Sequence, residues 1–374
     1  MSWKNVKIGD VCLVKRGSTI TEKQAVKGSI PVVAGGISYS YKHNQANRSA
    51  NVITVSASGA NAGYVNFWDI PIFASDCSTV EAIDKNINIR FIFYFLRSKQ
   101  DFINQTMRSG AAQPHVYAKD IAQISLKLPP LFEQNRIAAI LDKANEVKVK
   151  RQLALLKLDD LAHSIFIDMF GDPLVNNFNF EICSIGDLLV SANYGTSEKS
   201  SSSGTHPVLR MNNITMNGDI DITNLKYMNL HVNDYEKYLV KSGDILFNRT
   251  NSPELVGKTA LFELNDQYAY AGYLIRLRSN STADPSYIAA YLNTKFAKKI
   301  LRNMCKSIVG MANINAKEIQ AMKIMRPPIK RQLEFKNKIS SIKKIKSIYL
   351  RSITKHSRVI KSLESQAFST GFNA

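Results

Sequence analysis

Two stretches of the chain carry apolar residues at helical spacing for more than 30 residues without a proline or glycine. In "LFEQNRIAAILDKANEVKVKRQLALLKLDDLAHSIFIDMF" a three-four spacing selects Ile137, Ile140, Ala144, Val147, Ala154, Leu158, Leu161 and Ile165, with Arg151 the one polar break in the seam. In the second stretch Ile339, Ile342, Tyr349, Ile353, Ile360, Leu363 and Ala367 repeat the pattern, broken by Lys346 and His356. Such a sustained seam predicts two long coiled-coil-like helices, each about 50 Å at 1.5 Å per residue. A Pro-Pro pair precedes each one, at Pro129-Pro130 and Pro327-Pro328. It ends whatever comes before and suits a first helical turn. Gly171-Asp172-Pro173 predicts the end of the first helix.

The remaining residues of each half read as mixed α/β. "NVITVSAS" and "SGDILFNRT" are strand candidates entering polar turns, and "AYAGYLIRLRS" alternates as one strand would. "RFIFYFLRS" and "SYIAAYLNT" are aromatic helix candidates. Turns rich in Gly, Ser and Asn separate these elements, including "GGISYSYKHNQANRS", "SASGANAGYV", "ANYGTSEKSSSSGTH" and "NRTNSPEL".

The chain repeats itself. "AKDIAQISLKLPPLFEQ" from Ala118 and "AKEIQAMKIMRPPIKRQ" from Ala316 agree, at one fixed lag, in Ala118/Ala316, Lys119/Lys317, Ile121/Ile319, both prolines and Gln134/Gln332. Asp120 is matched by Glu318, and each half opens on Ile-Gly-Asp, at Ile8 and at Ile185. A period near half the chain implies duplication into two similar modules, not a solenoid.

Composition narrows the function. At 374 residues with a 45% apolar fraction, the chain suits two or three globular domains. Scattered Cys12, Cys77, Cys183 and Cys305, the absence of a long apolar run and an N-terminus "MSWKNVKIGD" without a secretory signal lead us to expect a soluble, cytoplasmic protein with no membrane association. Its 49 basic and 30 acidic residues give a formal charge of +19, which attracts polyanions, nucleic acid foremost. A solubilising surface or an acidic partner protein is the plainer reading of the same charge.

A catalytic kit is not recognisable. Gly257-Lys258 lacks the glycine-rich spacing of a phosphate-binding loop. His43, His115, His163, His206, His231 and His356 form no metal-ligand motif, so no metal or cofactor is expected. There is no GxSxG elbow, and neither Pro-Pro pair follows an asparagine as in amino-methyltransferases.

Against this background the motifs "LPPLFEQNRIAAILDKANEVKVKRQ" and "LDDLAHSIFIDMFGDP", with "SGDILFNRTNSPELVGKTALF" and "SGAAQPHVYAKDI", make the chain resemble, over essentially its whole length, the specificity subunit of type I restriction-modification enzymes. The resemblance implies an α+β fold of two similar α/β target recognition domains, each followed by a long helix, the two helices packed as an antiparallel coiled coil. It places target recognition domain 1 at 1–130, a central spacer helix at 131–170, domain 2 at 171–328 with a short linker at 171–180, and a distal spacer helix at 329–370. Each domain would read one half of a split site in double-stranded DNA, while the helices set the gap and dock one methyltransferase subunit per repeat, two in all. Restriction-translocase subunits would join the full complex, and the chain itself would be non-catalytic. The second copy departs from the first: it reads "RPPIKRQ" and lacks the MFGDP tail. A stand-alone DNA-modifying enzyme and a basic coiled-coil scaffold are the alternatives.

Candidate DNA-contacting residues on loops are, in module 1, Ser38, Tyr39, Tyr41, Lys42, Asn44, Ser58, Asn61, Gln113 and His115. In module 2 they are Tyr194, Ser197, Lys199, Arg210, Asn212, Asn248, Arg249, Thr250 and Asn251. Arginine can grip guanine, and asparagine or glutamine adenine, through paired hydrogen bonds, although turn and capping roles suit the same residue types. The distal helix adds a charge asymmetry. From Arg326 to Lys361 there are twelve Lys or Arg and one acid, Glu334, whereas Leu131 to Phe170 holds six of each sign. Lys343, Lys344 and Lys346 are therefore candidates for contact with phosphates near the spacer. A solvated face, or an acidic patch on a docked methyltransferase subunit, would use the same lysines.

Overall fold

The computed structural model describes residues 3–110, 113–252, 255–308 and 311–369. Parts of the motif "SGAAQPHVYAKDI" and of the expected loop "NRTNSPEL", and Thr370 at the expected end of the distal helix, lie outside the described residues. The chain forms two compact units: Met1–Gln152 with Leu350–Ala374, and Leu153–Tyr349. Two long helices, Leu131–Phe170 and Ile329–Ser369, run 40 and 41 residues, and each gives one end to each unit.

Within the first unit, a four-stranded antiparallel sheet runs in the order Cys12–Arg16, Cys77–Ala82, Val52–Ser56, Val65–Trp68. Val52–Ser56 is buried at every position, which is why its β-branched run alternates poorly with polar residues. A second sheet orders Tyr39–His43, Ile30–Val33 and Phe73–Ala74, the last pair parallel. Lys4–Lys7 pairs with Ser125–Leu128. The second unit repeats the plan: Leu189–Tyr194, Leu274–Ser279, Ile245–Asn248, Thr259–Leu261 in one sheet, and Lys226–Met228, His206–Leu209, Tyr268–Tyr270, Leu239–Val240 in the other, with His206–Leu209 and Tyr268–Tyr270 again parallel. Glu181–Ser184 pairs with Lys323–Arg326. "AYAGYLIRLRS" is therefore two strands in two sheets, not one; Leu274 N–H donates to Ala271 O (2.9 Å) and turns the chain between them.

The repeated residues build the frame. Ile8 and Ile185 are fully buried, and their N–H groups donate to Ile124 O (2.9 Å) and Met322 O (2.8 Å). Asp10 and Asp187 each accept from the backbone three residues back, at Lys7 N and Ser184 N, both 2.8 Å. A Cβ on Gly9 would sit 3.1 Å from Ala122 Cβ, and one on Gly186 3.2 Å from Gln320 Cβ, so glycine permits the close approach of each short helix beside it.

The shared glutamines are buried keystones. Gln134 donates to Pro129 O (2.9 Å) and Asn86 O (3.1 Å) and accepts from Asn88 N (2.8 Å). Gln332 donates to Pro327 O (2.7 Å) and accepts from Asp284 N (2.9 Å). Asn88 and Asp284 are in turn the N-caps of the aromatic helices Ile89–Ser98 and Pro285–Leu292. One amide thus ties the proline pair to the start of the module's own helix, twice.

Inside each unit the long helices run antiparallel. In the second, Asp159 faces Lys346 while Phe166 packs on Phe335 (ring centroids 5.8 Å). In the first, His356 Nε2 lies 2.7 Å from Ala144 O, and Arg97 pairs with Glu364 (2.7 Å). The polar seam breaks Lys346 and His356 each meet a partner on the facing helix. Leu161 does not belong to the seam: it is 47% exposed, and Leu158 and Ala162, half-buried, take the inner face. Gly171, at φ +77°, ends the central helix by donating to Ile167 O (2.8 Å).

Candidate nucleic-acid interface

In module 1 two loops are sewn together. Gly59 N–H donates to Pro114 O (3.0 Å), Val116 N–H to Ala57 O (2.9 Å), and Ser109 and His115 exchange both backbone bonds. The Ser58 hydroxyl donates to the Asp76 carboxylate, and Ser56 Oγ to Gly36 O (3.0 Å), so the 34–38 loop meets the same spot. Ser58 and His115 are brought together there, with the His115 ring stacked on Tyr117, and Gln113 is exposed two residues before His115. Asn61 is exposed on the turn beside them. Ser38 and Tyr39 are exposed where the edge strand Tyr39–His43 begins, Lys42 Nζ lies 5.9 Å from the Tyr39 ring, and Asn44 is exposed just beyond. Tyr41 is otherwise employed: its hydroxyl donates to Ile20 O, a structural bond.

In module 2 Arg249 is the most firmly positioned of the candidates. Its backbone is pinned on both sides, N–H to Tyr273 O (3.0 Å) and O from Ile314 N (2.9 Å). The guanidinium lies 4.9 Å from the Tyr194 ring, the Tyr194 hydroxyl accepts from Ala316 N–H (2.9 Å), and Arg249 Nε has no partner. That Nε is buried, so only the outer end of the guanidinium could meet a ligand. Lys258 and Lys298 lie under the same turn, with Asn248 N–H donating to Lys258 O (2.8 Å) and Lys298 Nζ reaching Gly257 O and, at 2.8 Å, Asn293 Oδ1. Burial, then the charges of Arg302 and Lys258, pull the Lys298 ammonium down to about 7; burial also lowers Lys258.

The neighbours of Arg249 mainly support it. Asn248 is fully buried, its amide donating to Leu255 O (3.4 Å), so it does not present a base-reading edge. Thr250 is buried against Asn313 Oδ1 (3.3 Å), and Asn251 Oδ1 accepts from Ser252 N–H (2.9 Å). Arg210 donates to Asn224 O (3.2 Å) with its Nε unpartnered, and Asn212, Ser197 and Lys199 are exposed. On the distal helix, Lys346 is only 12% exposed and bound to Asp159 and Asp219, and Lys343 is paired with Glu263. Those two ammoniums already have carboxylate partners; Lys344 is exposed.

Sequence reasoning passed over Arg276 and Arg278. They share one face of Leu274–Ser279 and line an open cleft of about 600 Å³ with Asn193, Tyr194 and Lys237. Arg276 is 2% exposed, near Asp244 (3.8 Å), while Arg278 binds Asp244 at 2.7 Å. The signal was present: two arginines two residues apart in a strand point the same way.

Among the described residues no group of three His, Cys, Asp or Glu could hold a metal ion, and no helix is long and apolar enough to cross a membrane.

Fold and surface together define a duplicated two-module protein whose repeated residues are structural and whose intervening loops differ. The family model for the type I restriction modification DNA specificity domain matches residues 1–154 and 177–355, and the chain belongs to that family. It is 25% identical over 288 residues to the type I restriction enzyme EcoKI specificity subunit of Escherichia coli K12, covering 72% of this chain and 61% of that protein. With a putative MjaX specificity subunit of Methanocaldococcus jannaschii it shares 28% over 197 residues, 52% of this chain and 46% of the relative. The MjaVIII specificity subunit of the same organism is 23% identical and matched over 91% of this chain and 86% of its own. The crystal structure of a type I restriction-modification S subunit from M. genitalium shares the fold, at TM-score 0.62 and 16% identity, over 98% of this chain and 96% of that one.

Proposed function

We propose that the chain is the DNA sequence-recognition subunit of a type I restriction-modification complex. Module 1 and module 2 are its two target recognition domains, each reading one half of a bipartite site, and the long helices set the gap. The observation that carries this reading is the division of labour between repeated and unrepeated residues. Ile-Gly-Asp, the Ala-Lys-(Asp/Glu)-Ile helix, Pro-Pro and Gln build matching frames. The loops those frames carry hold unlike polar sets, Ser58–His115 in one and Arg249–Tyr194 in the other. Two frames of one shape with different surfaces suit two unlike half-sites. The charge of +19 supplies the phosphate attraction.

The chain acts without a cofactor, as a non-catalytic partner of two methyltransferase subunits and of restriction-translocase subunits, in the cytoplasm. Support for a protein partner comes from the helices: Leu153, Leu156, Leu161, Ile345 and Ile348 of the second unit stand 43–64% exposed. Such an apolar surface on a helix pair suits a docked helical subunit.

Selection of preferred duplexes from a random pool by the assembled complex tests the reading. Arg249→Ala relaxes one half-site only, at a cost of about 1–3 kcal/mol per lost paired contact. Relaxation of both half-sites, or of neither, would contradict the assignment.

A further inference from the structure

Module 2 carries a much longer loop than its counterpart in module 1. Ile30–Val33 and Tyr39–His43 are joined by residues 34–38, but the equivalent strands His206–Leu209 and Lys226–Met228 are joined by residues 210–225. That longer loop is internally braced. Buried Asn213 donates to Asp221 O (2.8 Å) and Asn224 O (3.2 Å), Thr215 N–H donates to Asp219 O (3.0 Å), and Asp219 N–H returns to Thr215 Oγ1 (3.0 Å). Its tip reaches the helices. Asn217 Nδ2 donates to Asp159 Oδ2 (2.6 Å) on the central helix, and Asp219 Oδ2 accepts from Lys346 Nζ (2.7 Å) on the distal helix. Lys346 Nζ donates also to Asp159 Oδ1 (2.6 Å), closing a triad across three elements.

We infer that Lys346 is a positioning residue that clamps the 210–225 loop, and with it the second recognition module, onto the helix pair. Its place in the apolar seam, 12% exposed, makes an unpaired ammonium there costly, so it holds in the one register that offers both carboxylates. Burial alone would lower the Lys346 ammonium, but the hydrogen bonds and charges of Asp159 and Asp219 outweigh it and raise it above the ordinary lysine range. The first unit does the equivalent job with different residues: Arg90 and Tyr94 of its aromatic helix bind Asp142, and Arg97 binds Glu364. The recognition modules share a frame but not a clamp. Lys346 therefore adds to the shared frame a contact that the repeat does not reveal.

Two readouts on the full chain test this, and only one of them rests on the proposed DNA-reading function. In hydrogen exchange, Asp219→Asn and Lys346→Met speed amide exchange across residues 213–221 by about tenfold or more, the loss of a charge-assisted bond that tethers the loop, while Lys344→Met leaves it unchanged. Asp219 is surface-accessible, so its variant folds even if Lys346→Met does not. Unchanged exchange in the Asp219→Asn loop overturns the inference. In duplex selection by the assembled complex, Asp219→Asn widens the tolerated gap between half-sites while both half-site sequences stay as in the parent. A gap as narrow as the parent's overturns the positioning role. A parent complex that selects no bipartite site sinks the recognition reading, and the exchange result still decides the clamp.

Discussion

Gln134 and Gln332 show what a single repeated side chain can hold. Each is at most 1% exposed and supplies the acceptor for a backbone N–H at the N-cap of its module's aromatic helix. Alanine would strand those groups in the interior, at about 1–3 kcal/mol each. Thermal unfolding of Gln134→Ala should lower the transition of the first unit only, and Gln332→Ala that of the second; equal loss in both would show that the keystone is not local. Lys298 gives a pH test at the same scale. Its folded value of about 7 lies below the ordinary 10.5, so between those values the unfolded chain binds the extra proton and stability rises with pH. Below pH 7 the ammonium is charged in both states and the penalty is complete. Urea unfolding of Lys298→Met should lose the part of the rise between pH 7 and 10.5 that the parent shows; an undiminished slope would remove Lys298 as its source. The frame residues were legible in the sequence because duplication wrote them twice. The burial of Asn248 was not legible, because a polar residue at the end of a strand reads the same whether it points outward or lies against Leu255 O.

At the scale of elements, the long helices were plain from periodicity, because apolar residues at three-four spacing over 40 residues trace one face of a continuous helix. Their finer seam was less so. Leu161 satisfied the spacing yet lies outside, because a 3.6-residue helix drifts against any fixed pattern over many turns. The strands of "AYAGYLIRLRS" were misread for the opposite reason: alternation runs unbroken through a turn that only the Leu274–Ala271 bond reveals. The lysine-rich distal helix separates by partner. Lys343 and Lys346 answer acids that lie far away in sequence, Glu263 and Asp219, which no local charge count can foresee. Of the three candidates only Lys344 keeps an open ammonium. The predicted salt response follows: Lys344→Gln should make the log–log salt slope of DNA binding shallower by about one if it meets a phosphate, with site preference unchanged. An unaltered slope would assign it to the solvated face.

For the whole molecule, the proposed function gives the long helices the task of setting the gap between half-sites. The helices pass from one unit to the other at Gln152/Leu153 and at Tyr349/Leu350. One heptad added at each of these points keeps the seam in phase and leaves the Lys346–Asp159 and His356–Ala144 contacts untouched. Seven residues add about 10 Å, roughly three base pairs at 3.4 Å each. The most direct measurement is duplex selection by the assembled complex, parent against double-heptad variant. Both half-site sequences should be unchanged and the gap between them longer by about three base pairs. A still-active variant with the parental gap, or with altered half-sites at the parental spacing, would contradict the proposed task of the helices.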